Sequence, residues 1–199
     1  MSNSKSNVHR IAISGKARAG KNTVAEMIVK AMELKDHQYK ITALANPMKA
    51  IAQAMFPDAS HECLYGASEL RSQVISNKYT DANGNALTYR QFLLDLGAFG
   101  RRYNSDIWLN CIVEAAKNLP DISAYIIADI RFSNEFEYFK KSGFHMIRVV
   151  RDDYTKINDV SEMEQDAIPN SAFDTVIENN HSMDTLYDIV VNMVKTLAK

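Results

Sequence analysis

Apolar and polar positions along the chain follow two different rhythms. Short apolar runs at 11–13, 41–45, 124–128, 145–150 and 175–177 are bounded by polar or turn-forming residues, the pattern of strands buried on both faces. Between them, apolar residues recur at helical spacing. Val24, Met27, Ile28, Ala31 and Leu34 predict a helix from Val24 to about Lys35-Asp36. Met48, Ile51, Ala52 and Met55 predict another, opened by Asn46-Pro47 and closed by Pro57. Helical segments follow around 89–96 and 107–119, a further helix precedes the turn at Ser142-Gly143, and a last one carries Leu186, Ile189, Val190, Met193 and Leu197. The stretch 60–88 is polar, with a strong turn signal at Asp81-Ala82-Asn83-Gly84-Asn85. Strands separated by helices predict an α/β fold: a parallel sheet covered by helices on both faces, with ligands gathering at the strand carboxyl ends.

The most specific segment is Gly15-Lys16-Ala17-Arg18-Ala19-Gly20-Lys21-Asn22-Thr23, which lies between the first predicted strand and the first predicted helix. A glycine loop in that setting turns backbone N–H groups around a phosphate, the helix N-terminus adds partial positive charge, and the lysine reaches the terminal phosphates. The expectation is a phosphate loop binding a nucleoside triphosphate, set against an ordinary glycine turn before a helix. Asn22 follows the lysine where a serine or threonine hydroxyl usually ligates magnesium, with Thr23 one place later. An amide oxygen is a weaker ligand for a hard cation. This disfavours switch-type GTPases and leaves small-molecule kinases open.

Asp129 ends the apolar run at 124–128, at the same predicted sheet edge as Gly15, although 114 positions separate the two. It has the form of a magnesium-orienting carboxylate, with a helix cap or turn aspartate as the alternative. Between Ala50 and Glu135 there are five arginines, Arg71, Arg90, Arg101, Arg102 and Arg131, and two lysines, Lys78 and Lys117. Arginine is the better bidentate partner for oxyanions, and transfer onto a phosphate acceptor must neutralise both reactants. One or two of these arginines are expected in surface ion pairs instead.

Bulk properties narrow the class. The 199 residues, 46% hydrophobic and 24% charged with a net charge of −1, suit one domain with a mobile appendage, and the near-neutral balance argues against stable nucleic-acid binding. Cys63 and Cys111 form no metal-binding pattern and are expected to be buried free thiols, and the histidines are scattered. No apolar run reaches the roughly 20 residues of a membrane span, and the polar first seven residues lack a signal-peptide core. A cytoplasmic location without membrane partners follows as an expectation.

The loop 15–25, Ala45-Asn46-Pro47-Met48-Lys49, Leu93-Leu94-Asp95-Leu96-Gly97 through Gly100-Arg101-Arg102 and Asp106-Ile107-Trp108, Asp129-Ile130-Arg131-Phe132-Ser133-Asn134-Glu135, Arg148-Val149-Val150-Arg151 and Ser161-Glu162 together resemble the bacteriophage-type deoxynucleoside monophosphate kinases. The matches run in order from Gly15 to Glu162, with Asn22 and Asn46 standing where the family commonly has aspartate. The resemblance implies an adenylate-kinase-like P-loop kinase fold in a single domain, with a monophosphate-binding flap over 46–104 and a lid over 152–172. It implies ATP and Mg2+, with Gly15, Lys16, Ala17, Arg18, Ala19, Gly20, Lys21, Asn22 and Thr23 around the ATP phosphates and Asp129 and Asn22 toward the metal. Lys21, Asp129, Arg131 and Arg151 would carry the transfer. Lys49, Arg71, Arg90, Arg101 and Arg102 would serve the nucleoside monophosphate, with Asp106 and Trp108 bordering its base or sugar. Trp108, at helical spacing with Cys111 and Ala115, has core packing as its alternative reading. The segment 152–172 sets six carboxylates against Lys156, which reads as a lid or as a solvated excursion. A kinase for another phosphorylated metabolite and a nucleotide-binding ATPase module remain open, as does a homodimer.

Overall fold

The computed structural model describes residues 8–66, 68–152 and 160–197. Each apolar run forms a strand: β1 (His9–Ser14), β2 (Tyr39–Thr42), β3 (Ala124–Ile130), β4 (His145–Val150) and β5 (Thr175–Glu178). They make one sheet in the order β2-β3-β1-β4-β5, every neighbouring pair parallel. The helices are α1 (Lys21–Ala31), α2 (Asn46–Met55), α3 (His61–Tyr65), α4 (Tyr89–Tyr103), α5 (Ile107–Ala116), α6 (Ser133–Lys141), α7 (Val160–Asp166) and α8 (Met183–Leu197). No helix among the described residues is long and apolar enough to cross a membrane.

The chain divides into two compact units, one made of the segments up to Ala43 and from Asn118 onward, the other of Leu44–Lys117. The first holds the whole sheet. Side chains alternate across a strand, so Ile11, Ile13, Ile126, Ile147, Val149 and Ile177 face one side, where Val24 and Ile28 of α1 and Leu186 and Val190 of α8 cover them. Arg148 points to the other side, its guanidinium 4.4 Å from the Phe173 ring centroid, and Phe173 packs edge-on at 4.9 Å against Phe136 of α6. Both faces are therefore covered, as a parallel sheet requires.

The Leu44–Lys117 unit has its own core of Ala52, Ala59, Cys63, Leu64 and Tyr89, with Phe56 and Phe92 packed against it. The stretch 60–88 is more ordered than its polarity predicts: the Ser60 hydroxyl caps α3 by accepting from Cys63 N at 3.2 Å, and Val74 pairs with Thr88 across the Asp81 turn. Helix α4 runs past its predicted end because Gly97 and Gly100 are contact surfaces. The Trp108 ring of α5 lies on Gly100, where an added Cβ would stand 2.5 Å from Cζ2 and 2.8 Å from Cε2. Gly100→Ala is expected to destabilise by about 1–3 kcal/mol, because a rigid indole has to shift. Thermal unfolding measures this, and an unchanged Tm would show that the α4–α5 contact is slack. Of the two thiols expected to be buried, Cys63 is buried beside Gln73, whereas Cys111 is exposed on α5.

Candidate active site

Strand β1 delivers a fully buried Ser14 to a loop that spans residues 15–20, and α1 begins at Lys21. Two glycines make that path possible. A Cβ on Gly15 would stand 2.5 Å from the Val149 carbonyl oxygen, so only a glycine lets the loop pass so close to β4. Gly20 has φ +98°, a left-handed conformation, and the Asn179 side chain fills the space beside it. Arg18 takes φ +64° at the exposed tip.

Lys21 folds back under this loop. Its ammonium donates to the Gly15 carbonyl at 2.7 Å and the Lys16 carbonyl at 2.9 Å. The same nitrogen lies 3.8 Å from Asp129 Oδ1, at the carboxyl end of β3. Asp129 Oδ1 also accepts from Arg131 Nε at 2.9 Å. The loop lysine, the strand carboxylate and the following arginine, expected together from separate stretches of sequence, do meet. Lys16 reaches outward and pairs with Asp166 of α7 at 2.7 Å.

The second half of the 152–172 segment is anchored. Gln165 is 1% exposed, its amide 3.5 Å from the Ser14 hydroxyl, and its carbonyl accepts from Arg148 Nη2 at 2.9 Å. The Ile168 carbonyl accepts from the same nitrogen at 2.7 Å, and Ser133 donates to Glu164 at 3.2 Å. The residues 153–159, with Asp153, Lys156 and Asp159, lie outside the described residues. Arg151 is exposed after β4, and Asn22 is exposed on the first turn of α1 beside a half-buried Thr23.

The remaining expected residues sit in the Leu44–Lys117 unit. Lys49 of α2 lies 5.2 Å over the Tyr65 ring, and Arg71 donates to the Leu64 and Gly66 carbonyls at 3.1 and 3.2 Å, closing the end of α3. On α4, Arg90 is half-buried, the Arg101 guanidinium borders Gly97, and Arg102 is exposed 5.6 Å over the Phe99 ring. Asp106 stands at the start of α5, its backbone N–H donating to the Asn104 side chain at 2.8 Å. Trp108 packs in the manner of its alternative reading: it is 7% exposed and its indole N–H donates to the Gly97 carbonyl at 3.1 Å.

A sequence profile described as deoxynucleotide monophosphate kinase matches residues 55–190, more than half of the chain. The chain belongs to the deoxynucleotide monophosphate kinase family. Family membership makes it a nucleotide kinase, a phosphotransferase, and the matched span includes Asp129, Arg131 and α7, while β1 and the glycine loop precede it. No curated protein matches the chain significantly. Among solved structures the kinase is similar to a sugar kinase from Janibacter sp. HTCC2649, at 9% identity over 95% of each chain with a TM-score of 0.42, a likeness too slight to build on.

Three residues of this kinase were not singled out by sequence reasoning. Asp166 and Asn179 bond to the loop from more than 140 positions away, and the only sign of Asn179 is an amide placed just after the last strand, at the ligand-gathering sheet edge. Glu135 stands in the quoted motif without an assigned role. It reaches back from the first turn of α6 to accept from Arg131 N at 2.8 Å and Phe132 N at 3.0 Å, and so shapes the turn that carries Arg131. Burial pushes its carboxyl up to about 7, against the pull of those two N–H donors. The folded protein therefore holds a proton that the unfolded chain releases near pH 4.5, so stability falls as pH rises through that window and levels off above about 7. The loss is on the order of 3 kcal/mol. Glu135→Gln keeps the acceptor oxygen and removes the proton. Urea unfolding at pH 5 and pH 8 is expected to show the variant gaining on the wild type at the higher pH, and a pH-independent difference would refute the assignment.

Proposed function

We propose that this kinase transfers the γ-phosphoryl group of ATP, with Mg2+, to a (deoxy)nucleoside 5′-monophosphate, giving ADP and the corresponding diphosphate. One observation carries the reading: Lys21, Asp129 and Arg131 converge within 3.8 Å of one carboxylate oxygen, under a glycine loop that a Cβ would block at Gly15. In this scheme residues 15–23 cradle the ATP phosphates through backbone N–H groups and the dipole of α1. Lys21 and Arg131 hold charge that develops on the transferring group. Asp129 keeps both cations oriented and offers an ionised oxygen toward the metal, with the Asn22 amide as a further oxygen donor. These hard oxygen donors suit Mg2+, which keeps most of its water and phosphate ligands and supplies charge neutralisation across the β- and γ-phosphates when bound.

The acceptor's phosphate oxygen is already an anionic nucleophile, so the scheme asks for positioning and charge and for no general base. Lys49, Arg71, Arg90, Arg101, Arg102 and Asp106 are the acceptor-side residues, within a monophosphate flap over 46–104. Arg151 and the segment 152–172 form the lid, whose task is to exclude water that would otherwise hydrolyse ATP. The enzyme is taken to work in the cytoplasm.

The test is an ATP-consumption assay with each deoxy- and ribonucleoside monophosphate in turn. Acceptor-stimulated ADP release with formation of the diphosphate is expected. Equal ATP hydrolysis with and without every acceptor would instead mark an ATPase, and stimulation only by another phosphorylated metabolite would move the acceptor class.

A further inference from the structure

Two adjacent amides stand at the carboxyl edge of the sheet, just after β5, and the transfer scheme uses neither. Asn179 N–H donates to the Val150 carbonyl at 2.7 Å, which fixes the backbone of this turn to the end of β4. Its side chain then crosses to the glycine loop, where Nδ2 donates to the Ala19 carbonyl at 2.9 Å. That amide also fills the space that a Gly20 side chain would need. Asn180 turns elsewhere, accepting from Asp152 N at 2.9 Å and donating to its carboxylate at 2.8 Å.

The Ala19–Gly20 peptide is trans and planar, so its C=O and N–H point in opposite directions. Holding the carbonyl on Asn179 therefore directs the Gly20 N–H away from Asn179. An alanine followed by a left-handed Gly20 has little intrinsic preference for that orientation, and an unheld peptide plane can rotate with small compensating changes in its two flanking dihedrals. We propose that Asn179 is a positioning residue of this kinase, fixing the Ala19–Gly20 peptide so that the Gly20 amide is preset for the triphosphate of ATP. The inference rests on the reading of the loop as the triphosphate site. It assigns to the end of β5 a share in ATP affinity and leaves the monophosphate untouched.

The experiment compares Asn179→Ala, the isosteric Asn179→Asp, which lacks the amide donor, and Asn179→Gln, which keeps one. Binding of the non-hydrolysable analogue AMP-PNP is measured by calorimetry, KM for ATP and for the monophosphate by steady-state kinetics, and Tm by thermal unfolding. The alanine and aspartate variants are expected to weaken AMP-PNP and raise the ATP KM on the order of tenfold, the worth of one hydrogen bond to a preset peptide, with the monophosphate KM unchanged. The glutamine variant is expected to recover part of the loss, and Asn180→Ala to leave the ATP KM as it was. If the alanine variant fails to fold, the aspartate variant carries the comparison. Wild-type protein that does not bind AMP-PNP would overturn the triphosphate reading itself. Wild-type binding matched by both donor-less variants would overturn the positioning role alone, as would a parallel loss of ATP and monophosphate affinity with a lowered Tm.

Discussion

Lys21→Ala is expected to lower phosphoryl transfer by about 10²-fold or more while the protein stays folded. Lys21 is 9% exposed, and its ammonium donates to two loop carbonyls and lies 3.8 Å from Asp129. A donor fixed in a largely water-excluded place costs no reorganisation when charge develops on the transferring group, and removal of one such contact typically costs 10²–10³-fold in turnover. The fold should tolerate the change, because Asp129 keeps Arg131 at 2.9 Å and the Lys16 carbonyl is only part-buried. Single-turnover rates beside a thermal melt separate lost chemistry from lost structure. A folded variant with near-normal turnover would remove Lys21 from the transfer.

Asp129→Ala is expected to be comparably damaging for a different reason. It strips the shared counter-charge from Lys21 and Arg131, 3.8 and 2.9 Å away, so each cation loses one of the groups that orient it. It also removes the ionised oxygen proposed to face Mg2+. Turnover is expected to fall on the order of 10²-fold, and the Mg2+ concentration for half-maximal activity to rise. Asp129→Asn should recover geometry but not charge, and Asp129→Glu part of each. Titrating Mg2+ against rate decides the matter: an unchanged half-maximal concentration in the alanine variant would take Asp129 out of metal handling.

Local signals in the chain foretold local structure well. Strand β4 appears with its predicted bounds because Gly143 and the charged residues after Val150 punctuate a mostly apolar run that Arg148 alone interrupts after Met146. The end of α1 did not follow its pattern. Apolar spacing carries the helix to Leu34, but it closes at Ala31, where Glu33 takes φ +55° and Leu34 N donates to the Val29 carbonyl at 3.2 Å. This is a Schellman ending without the glycine that would have announced it. The opposite failure occurred in α4, whose pattern predicts a helix over 89–96 and which runs on to Tyr103, with Gly97 and Gly100 serving as packing surfaces for Arg101 and Trp108. At the site, the loop, Asp129 and Arg131 were legible because each follows a recognisable strand. Asp166 and Asn179 were not, since a side chain that braces a loop from across the sheet leaves no local periodicity.

The strand order also governs when the enzyme can take shape during synthesis. β1 and β2 emerge first but are not neighbours, because β3, made only after the Leu44–Lys117 unit, lies between them. The first 43 residues therefore leave the ribosome as two strands with no partner for either, and the glycine loop has no sheet to spring from. The Leu44–Lys117 unit is continuous and can condense as soon as it is free. Until residues 124–130 arrive, unpaired strand edges and the apolar face of α1 stay exposed to proteases and to other nascent chains. Rare-codon pauses placed in the 44–117 coding stretch would lengthen that interval, whereas pauses that fall once β4 has left the ribosome would come when β1 already has both neighbours.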